Sequence, residues 1–285
     1  MAVSHGRFVW YELSTPDPER AKAFYANVVG WGTRDASAPG APYTLLTAGD
    51  DAVGGLMGLP PEARRMGALP RWIGYVGVDD VDATANKLRR LGGTIHVPPT
   101  DVADISRFAI VTDPQRATFA LFKWLTPQQD KPAEPRAPCR VAWHELFASD
   151  WRNAFAFYHE LFGWERAEAE SGERGTYQPF STAGQPIGGM ATKPEAVSVP
   201  FWLFYFSIGD IDAAVERVNA GGGRILEGPS QARDGTWIVR CADPSDAMFA
   251  LTGTRNNKTI GYFEPAAALD PGAARLFVPK GRSRP

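Results

Sequence analysis

The sequence predicts an α+β protein made of βαβββ modules used twice. Three observations carry that expectation. The chain repeats itself, each copy runs through strand-like and helix-like periodicities in the same order, and 285 residues suffice for about two ordinary domains. Residues 8–31, FVWYELSTPDPERAKAFYANVVGW, match residues 141–164, VAWHELFASDWRNAFAFYHELFGW. Trp10/Trp143, Glu12/Glu145, Asp17/Asp150, Tyr25/Tyr158 and Trp31/Trp164 are each 133 positions apart. Gly54-Gly55 and Gly188-Gly189 follow at 134. Trp72/Trp202, Tyr75/Tyr205, Asp80/Asp210, Gly92/Gly222 and Asp113-Pro114/Asp243-Pro244 then keep an offset of 130. Small insertions confined to loops are what two copies of one fold accumulate, so the chain is a duplication.

Each element follows from local pattern. Val9, Tyr11 and Leu13 alternate with Phe8, Trp10 and Glu12, which predicts a first strand. Asp17 stands where a helix N-cap belongs and Pro18 at the first helical position. Ala21, Phe24, Tyr25 and Val28 then recur at i, i+3, i+4 and i+7, repeated as Ala154, Phe157, Tyr158 and Leu161, and Gly30 and Gly163 end the helices. Strands are expected near Tyr43–Ala48 and Trp72–Val78, with the Gly-Gly pair forming a tight turn or bulge between strands. A second helix runs from Asp80 to Leu91, and strands at Arg107–Thr112 and Ala117–Trp124 flank Asp-Pro as a hairpin. The same order recurs in the second copy.

The expected organisation is a first module over 1–125, a Pro-rich linker over 126–138, a second module over 139–254 and a C-terminal tail over 255–285. Ile260, Tyr262, Phe263, Leu276 and Phe277 could dock part of that tail. With 30 Lys+Arg against 32 Asp+Glu the chain has no basic field for a polyanion, so no nucleic-acid partner is expected. The longest apolar run, residues 199–208, is half the ~20 residues a membrane helix needs, and the N-terminus has no signal pattern, so the expected compartment is the cytoplasm. Two cysteines, Cys139 and Cys241, make no disulfide framework and stand in no nucleophile motif.

A strand followed by A-x-x-F-Y-x-x-x-x-G-W, a second helix after V-D-D-V-D-A, and a closing D-P hairpin resemble the vicinal oxygen chelate superfamily, over residues 7–125 and 140–253. Glyoxalases, extradiol dioxygenases and bleomycin- and fosfomycin-resistance proteins are among its members. The resemblance implies curved mixed sheets with helices on the outer face. It also implies a divalent metal held by His or Gln on the first strand and Glu on the last, sometimes with a further His between. Those positions fall on Trp10 and Trp143, on Ala120 and Ala250, and near Ile73 and Leu203. None of these side chains donates to a metal. The expectation is therefore a metal-free protein with no cofactor.

The candidate ligand-binding residues are Trp10, Glu12, Trp143, Glu145, Ala120 and Ala250. Alternation puts Trp10 and Glu12 on one strand face, so a carboxylate stands beside an indole, with a raised pKa unless paired. Such a pair suits a cation or general acid–base work; it also suits a buried Glu held by Tyr, Arg or backbone N–H. His144 falls on the face opposite Trp143, the place of a structural histidine, and His5, His96 and His159 are expected at the surface. The Gly-Gly pairs lack the G-x-x-x-x-G-K pattern of a phosphate loop. The functional expectation is a metal-independent protein that binds an aromatic or cationic small organic molecule, as a monomer or homodimer. The alternatives are a lyase, isomerase or oxygenase-type enzyme using Glu12 or Glu145, a metalloenzyme with rearranged ligands, and an interaction scaffold with filled cavities.

Overall fold

The computed structural model describes residues 4–65, 67–102, 104–126, 138–172, 175–232 and 234–255. Residues 127–137 of the expected linker, and the tail residues expected to dock, lie outside them. In the first half β1 (Phe8–Thr15) leads into α1 (Pro18–Val28), then β2 (Gly32–Asp35), β3 (Thr44–Ala48) and β4 (Asp51–Gly58). After a short α2 (Pro61–Arg65) come β5 (Arg71–Gly77), α3 (Val81–Arg90), β6 (Thr94–Val102), β7 (Ser106–Thr112) and β8 (Thr118–Trp124). The order β-α-β-β-β thus runs twice within each half, where the sequence pattern had resolved one such unit with an extra helix. The strand order is β2-β3-β4-β1-β5-β8-β7-β6. Within each unit the first strand pairs its last in parallel, and the antiparallel β1–β5 pair joins the two units.

The second half repeats this. Its elements are β9 (Val141–Ala148), α4 (Trp151–Phe162), β10 (Glu165–Arg166), β11 (Glu170–Gly172), β12 (Gly175–Thr182), β13 (Gln185–Thr192), β14 (Phe201–Asp210), α5 (Ile211–Ala220), β15 (Arg224–Gln231), β16 (Trp237–Ala242) and β17 (Met248–Thr254). Asp17, Asp80, Asp150 and Asp210 cap the four long helices, each accepting from a backbone N–H of the first turn, and Gly163 closes α4 in the left-handed conformation.

One hydrophobic core spans both halves and takes in the helices and one face of each sheet. The repeated landmarks are its fasteners. Trp31 donates its indole N–H to Cys139 O (2.7 Å), and Trp164 donates to Gly6 O (2.7 Å), each across the divide between halves. Trp72 donates to Tyr25 OH, which donates to Asp243 of the other half (2.9 and 3.2 Å). Trp202 donates to Tyr158 OH, which donates to Asp113 (3.2 and 3.1 Å).

Equivalent positions also meet one another, which places a pseudo-twofold axis between them. Tyr11 OH lies 2.6 Å from His144 Nε2, and the ring of Phe204 fills the space that a Cβ on Gly74 would need. At such an axis two copies of one large side chain compete for the same space. The sequence must therefore break its own repeat there, and Tyr/His and Gly/Phe are the result.

Candidate functional site

Strand alternation sends Trp10 and Glu12 to the sheet face turned away from the helices. That open face carries a separate small apolar cluster: Tyr75, Ala120 and Phe122, with Trp10, Ile73, Phe108, Ile110 and Trp124 packed around them. Register sets the neighbours. Trp10 lies opposite Tyr75, Tyr75 beside Ala120, and Glu12 between Ile73 on β5 and Gly55 on β4.

Among the described residues, Glu12 is held by phenols. Tyr43 OH donates to Oε2 at 2.9 Å and Tyr75 OH donates to Oε1 at 3.0 Å. Trp10 in turn donates its indole N–H to Tyr43 OH at 3.1 Å, so the four side chains form one relay ending on the carboxylate. Glu12 is half-buried, yet protein surrounds it closely enough to strip hydration from the charged form. Burial raises its pKa above the ordinary value of 4.5, and the two phenol hydrogen bonds offset only part of that rise.

Of the turn or bulge expected at Gly54-Gly55, the structure has the bulge, a register shift between β3 and β4 beside Gly54 that recurs between β12 and β13 beside Gly188, and not the turn. The pair lies inside β4, and neither glycine has a positive φ. A Cβ on Gly55 would sit 1.8 Å from the Tyr43 hydroxyl. Gly55 is thus the gap through which Tyr43 reaches Glu12, and Gly189 plays the same part for Tyr177 at 2.2 Å. Gly55→Ala is expected to swing the phenol off Glu12 and release the Trp10 indole, because the clash involves the far end of a side chain that can move. A changed Trp emission in Gly55→Ala, reproduced by Tyr43→Phe and lost in Trp10→Phe, is the check; unaltered emission would count against this account.

The second open face has the same frame and different chemistry. Trp143 donates to Tyr177 OH at 2.7 Å, and Glu145 accepts from Tyr205. Here, however, Arg240 Nη2 lies 3.0 Å from Glu145 Oε2, its Nη1 pairs with Glu227, and its Nε donates to Tyr205 OH at 3.1 Å. Burial works against the Arg240 charge, but Glu145 and Tyr205 outweigh it and hold the guanidinium above the usual arginine range. Glu145, 4% exposed, is an internally satisfied ion pair. In the first half the positions of Arg240 and Glu227 are Ile110 and Val97.

Among the candidate residues, Trp10 and Glu12 come together, as do Trp143 and Glu145. Ala120 and Ala250 are 0% exposed and lie in the apolar clusters of the two open faces, beneath their neighbours. His144 is buried on the core face as expected, its Nδ1 against Ile187 O. His96 and His159 are exposed, while His5 is half-buried beside Asp79. Cys241 is buried, which pushes its thiol up and away from reactivity. Tyr43 and Tyr177 were missed, although their offset of 134 matches that of the Gly-Gly pairs facing them.

Neither face fits a divalent metal. The first offers one carboxylate and neutral phenols, and the second holds its two carboxylates on an arginine. Among the described residues no three His, Cys, Asp or Glu side chains cluster as ligands.

Two sheets of paired βαβββ units, each presenting strand-borne side chains on an open face, define a class of small-molecule enzymes and binding proteins. The chain belongs to the Glyoxalase/Bleomycin resistance protein/Dioxygenase superfamily, whose model matches residues 7–121 and 140–251. It is 29% identical over 244 residues to "Putative glyoxylase CFP32" of Mycobacterium tuberculosis (strain CDC 1551 / Oshkosh), covering 85% of this chain and 92% of that protein. It is also 29% identical over 276 residues to the anthracycline biosynthesis protein DnrV of Streptomyces peucetius, covering 92% and 96%. Among solved structures it resembles the Mn(II)-bound glyoxalase from Novosphingobium aromaticivorans, with a TM-score of 0.60, 16% identity and coverage of 90% and 83%. The 2,3-dioxygenase LapB from Pseudomonas sp. KL28 gives 0.61, 12% and coverage of 92% and 97%. At such identities these structures show a shared fold alone.

Proposed function

We propose that the open face of the first half binds a small organic molecule bearing positive charge and aromatic surface, without a metal, through Glu12, Trp10 and the phenols of Tyr43 and Tyr75. The observation that carries this reading is the contrast between equivalent glutamates. Glu145 has its cation built in, as Arg240, whereas Glu12 has only neutral donors on a face of exposed-edge aromatics. A cation there gains Coulomb attraction to an under-solvated carboxylate and the π-face of an indole, the latter worth ~0.5–2 kcal/mol. The relatives named for anthracycline biosynthesis lend weight to a ligand with fused aromatic rings.

A second reading rests on the same carboxylate. With its pKa raised, Glu12 is suited to accept a proton from a substrate carbon or hydroxyl at near-neutral pH, and Tyr43 and Tyr75 could then donate to developing negative charge. That would make the protein a metal-free lyase or isomerase.

The test uses benzyltrimethylammonium as probe, followed by Trp fluorescence with and without EDTA. Glu12→Gln should weaken its binding about tenfold, while Glu145→Gln should leave it unchanged and EDTA should have no effect. The affinity of the parent should rise with pH as Glu12 ionises, and because the carboxyl is raised, that rise should centre above 4.5. Equal binding by parent and Glu12→Gln would overturn the reading, and dependence on a stoichiometric metal would replace it with a metalloenzyme.

A further inference from the structure

One end of the first open face carries a cluster with no part in the Glu12 relay. Ser14 and Arg71 are direct register partners on β1 and β5, two residues along from Glu12 and Ile73 and on the same face. Thr118, on β8, completes the group: Arg71 Nη1 donates to Thr118 Oγ1 at 3.3 Å, and Arg71 Nε donates to Leu69 O at 3.2 Å. The remaining three guanidinium N–H groups have no partner among the described residues, and no carboxylate there pairs with Arg71. Ser14 is 7% exposed, and its hydroxyl makes no hydrogen bond among the described residues. The Thr118 hydroxyl accepts from Arg71, so its own hydrogen remains free to be donated onward. A half-buried arginine normally finds more partners than this within the protein, and the Ser14 hydroxyl is open to the face and not sealed beneath it.

The second half supplies an internal control. At the positions of Ser14, Arg71 and Thr118 it carries Phe147, Phe201 and Met248. These belong to its apolar open-face cluster, with the Phe147 and Phe201 rings stacked at 5.0 Å. The fold therefore needs nothing polar at this end of the face. Where the second copy has an apolar trio, the first carries one cation and two hydroxyls on neighbouring positions of the same face. Burial lowers the pKa of Arg71, the cost of a charge that a partner would relieve.

We infer that Arg71, Ser14 and Thr118 form an oxyanion subsite that receives a carboxylate of the ligand whose other end lies on Glu12 and Trp10. Arginine suits this task because its planar fork meets a carboxylate with two parallel N–H···O bonds, and the hydroxyls add donors at the sides. Two residues of strand separate the subsite from Glu12, about 7 Å, or roughly the span of a substituted benzene ring. This inference rests on the ligand reading of Glu12 and sharpens it. The preferred ligand is amphoteric, with a protonated amine and a carboxylate across an aromatic spacer, and is not a simple cation.

Three probes of one shape test it by calorimetric titration of the full chain: benzylamine, benzoate and 4-(aminomethyl)benzoate. The parent should bind the amphoteric probe more tightly than either singly charged one. Arg71→Met keeps length and removes charge; it should weaken benzoate and 4-(aminomethyl)benzoate at least about tenfold and leave benzylamine unchanged. Glu12→Gln should do the reverse. Should Arg71→Met fold poorly, Ser14→Phe, the side chain that the second half tolerates at this position, should block the anions alone. If the anions depend on Arg71 but benzylamine ignores Glu12, the subsite stands and the cation reading fails. If the parent binds neither anion, or binds benzoate as well after Arg71→Met, the subsite is overturned.

Discussion

Asp113→Ala should lower the unfolding free energy by about 3–5 kcal/mol, among the largest effects expected of any single side chain here. One carboxylate serves two structures. Its Oδ1 accepts from the backbone N–H of Gln115 at 2.9 Å and of Ala117 at 2.8 Å, which closes the β7–β8 turn. Its Oδ2 accepts from Tyr158 of the other half at 3.1 Å. Alanine would leave a buried amide and a buried hydroxyl without acceptors at once, and each such orphan costs about 1–3 kcal/mol. Asp113→Asn should cost less, because it keeps one acceptor and removes a charge that burial disfavours, as the raised Asp113 pKa records. Tyr158→Phe cuts the tie between halves and also leaves the buried Trp202 indole N–H without its acceptor. Urea denaturation of both single variants and the double variant gives the coupling, expected at about 1 kcal/mol or more. A coupling near zero would mean that the Asp113–Tyr158 hydrogen bond adds nothing to the tie between the halves.

That tie explains why the fold was so legible in the sequence. Trp31/Trp164, Tyr25/Tyr158, Trp72/Trp202 and Asp113/Asp243 repeat because each fastens one half to the other, and a pseudo-twofold interface needs every fastener twice. The helices were legible for a local reason, since an aspartate cap and an i, i+3, i+4 apolar stripe are written in consecutive residues. The site was only half legible for the opposite reason. Trp10 and Glu12 announced themselves by strand alternation. What decides the character of each face lies where the copies differ: Ile110 against Arg240, Val97 against Glu227, Ser14 against Phe147, Arg71 against Phe201. A repeat search discards those positions as noise. The turn expected at the Gly-Gly pair failed for a related reason, because Gly55 makes room for Tyr43, and no local window contains both partners.

The same contrast bears on how one duplicated fold came to hold two unlike faces. The shared core commits both halves to the same backbone, so differences accumulate on the faces that the core does not use. The second half has closed its carboxylate with an internal arginine. The first has its carboxylate beside neutral donors and a cation at the far end. The function proposed above is accordingly asymmetric, since it rests on side chains that only the first half carries.

Acidification should weaken the fold through His144, with the loss set between about pH 6.5 and 4. Burial lowers the imidazole pKa from 6.5 to about 4, against a smaller upward pull from its hydrogen bond to Ile187 O. The reason is visible around the ring. Phe8 stacks on it at 4.2 Å, Nδ1 donates to Ile187 O, and Nε2 accepts from the Tyr11 hydroxyl, itself buried and so held in its neutral form. A proton on Nε2 would force the Tyr11 hydroxyl to turn round and accept, leaving its own hydrogen without this partner and placing a charge in a buried site. Because the folded pKa lies below the unfolded one, the stabilisation is complete above 6.5 and is lost as pH falls, while the unfolded chain takes up the proton. The full span is worth about 3 kcal/mol at 1.36 kcal/mol per unit. Glu12, Asp113 and Asp243 work in the opposite sense, since their raised values favour the folded state as they protonate, so the parent curve alone is not diagnostic. The readout is the difference between the parent and His144→Phe, measured by urea denaturation across this range. At pH 7 the parent should be the more stable, because phenylalanine leaves Tyr11 OH and Ile187 O unpaired. That advantage should shrink by about 3 kcal/mol on reaching pH 4, and the His144 ring proton resonance in NMR should stay unshifted until below pH 5. A difference that is constant from pH 7 to 4, or a His144 that titrates near 6.5, would place the ring in contact with water and remove the Tyr11–His144 pair from the centre of the interface.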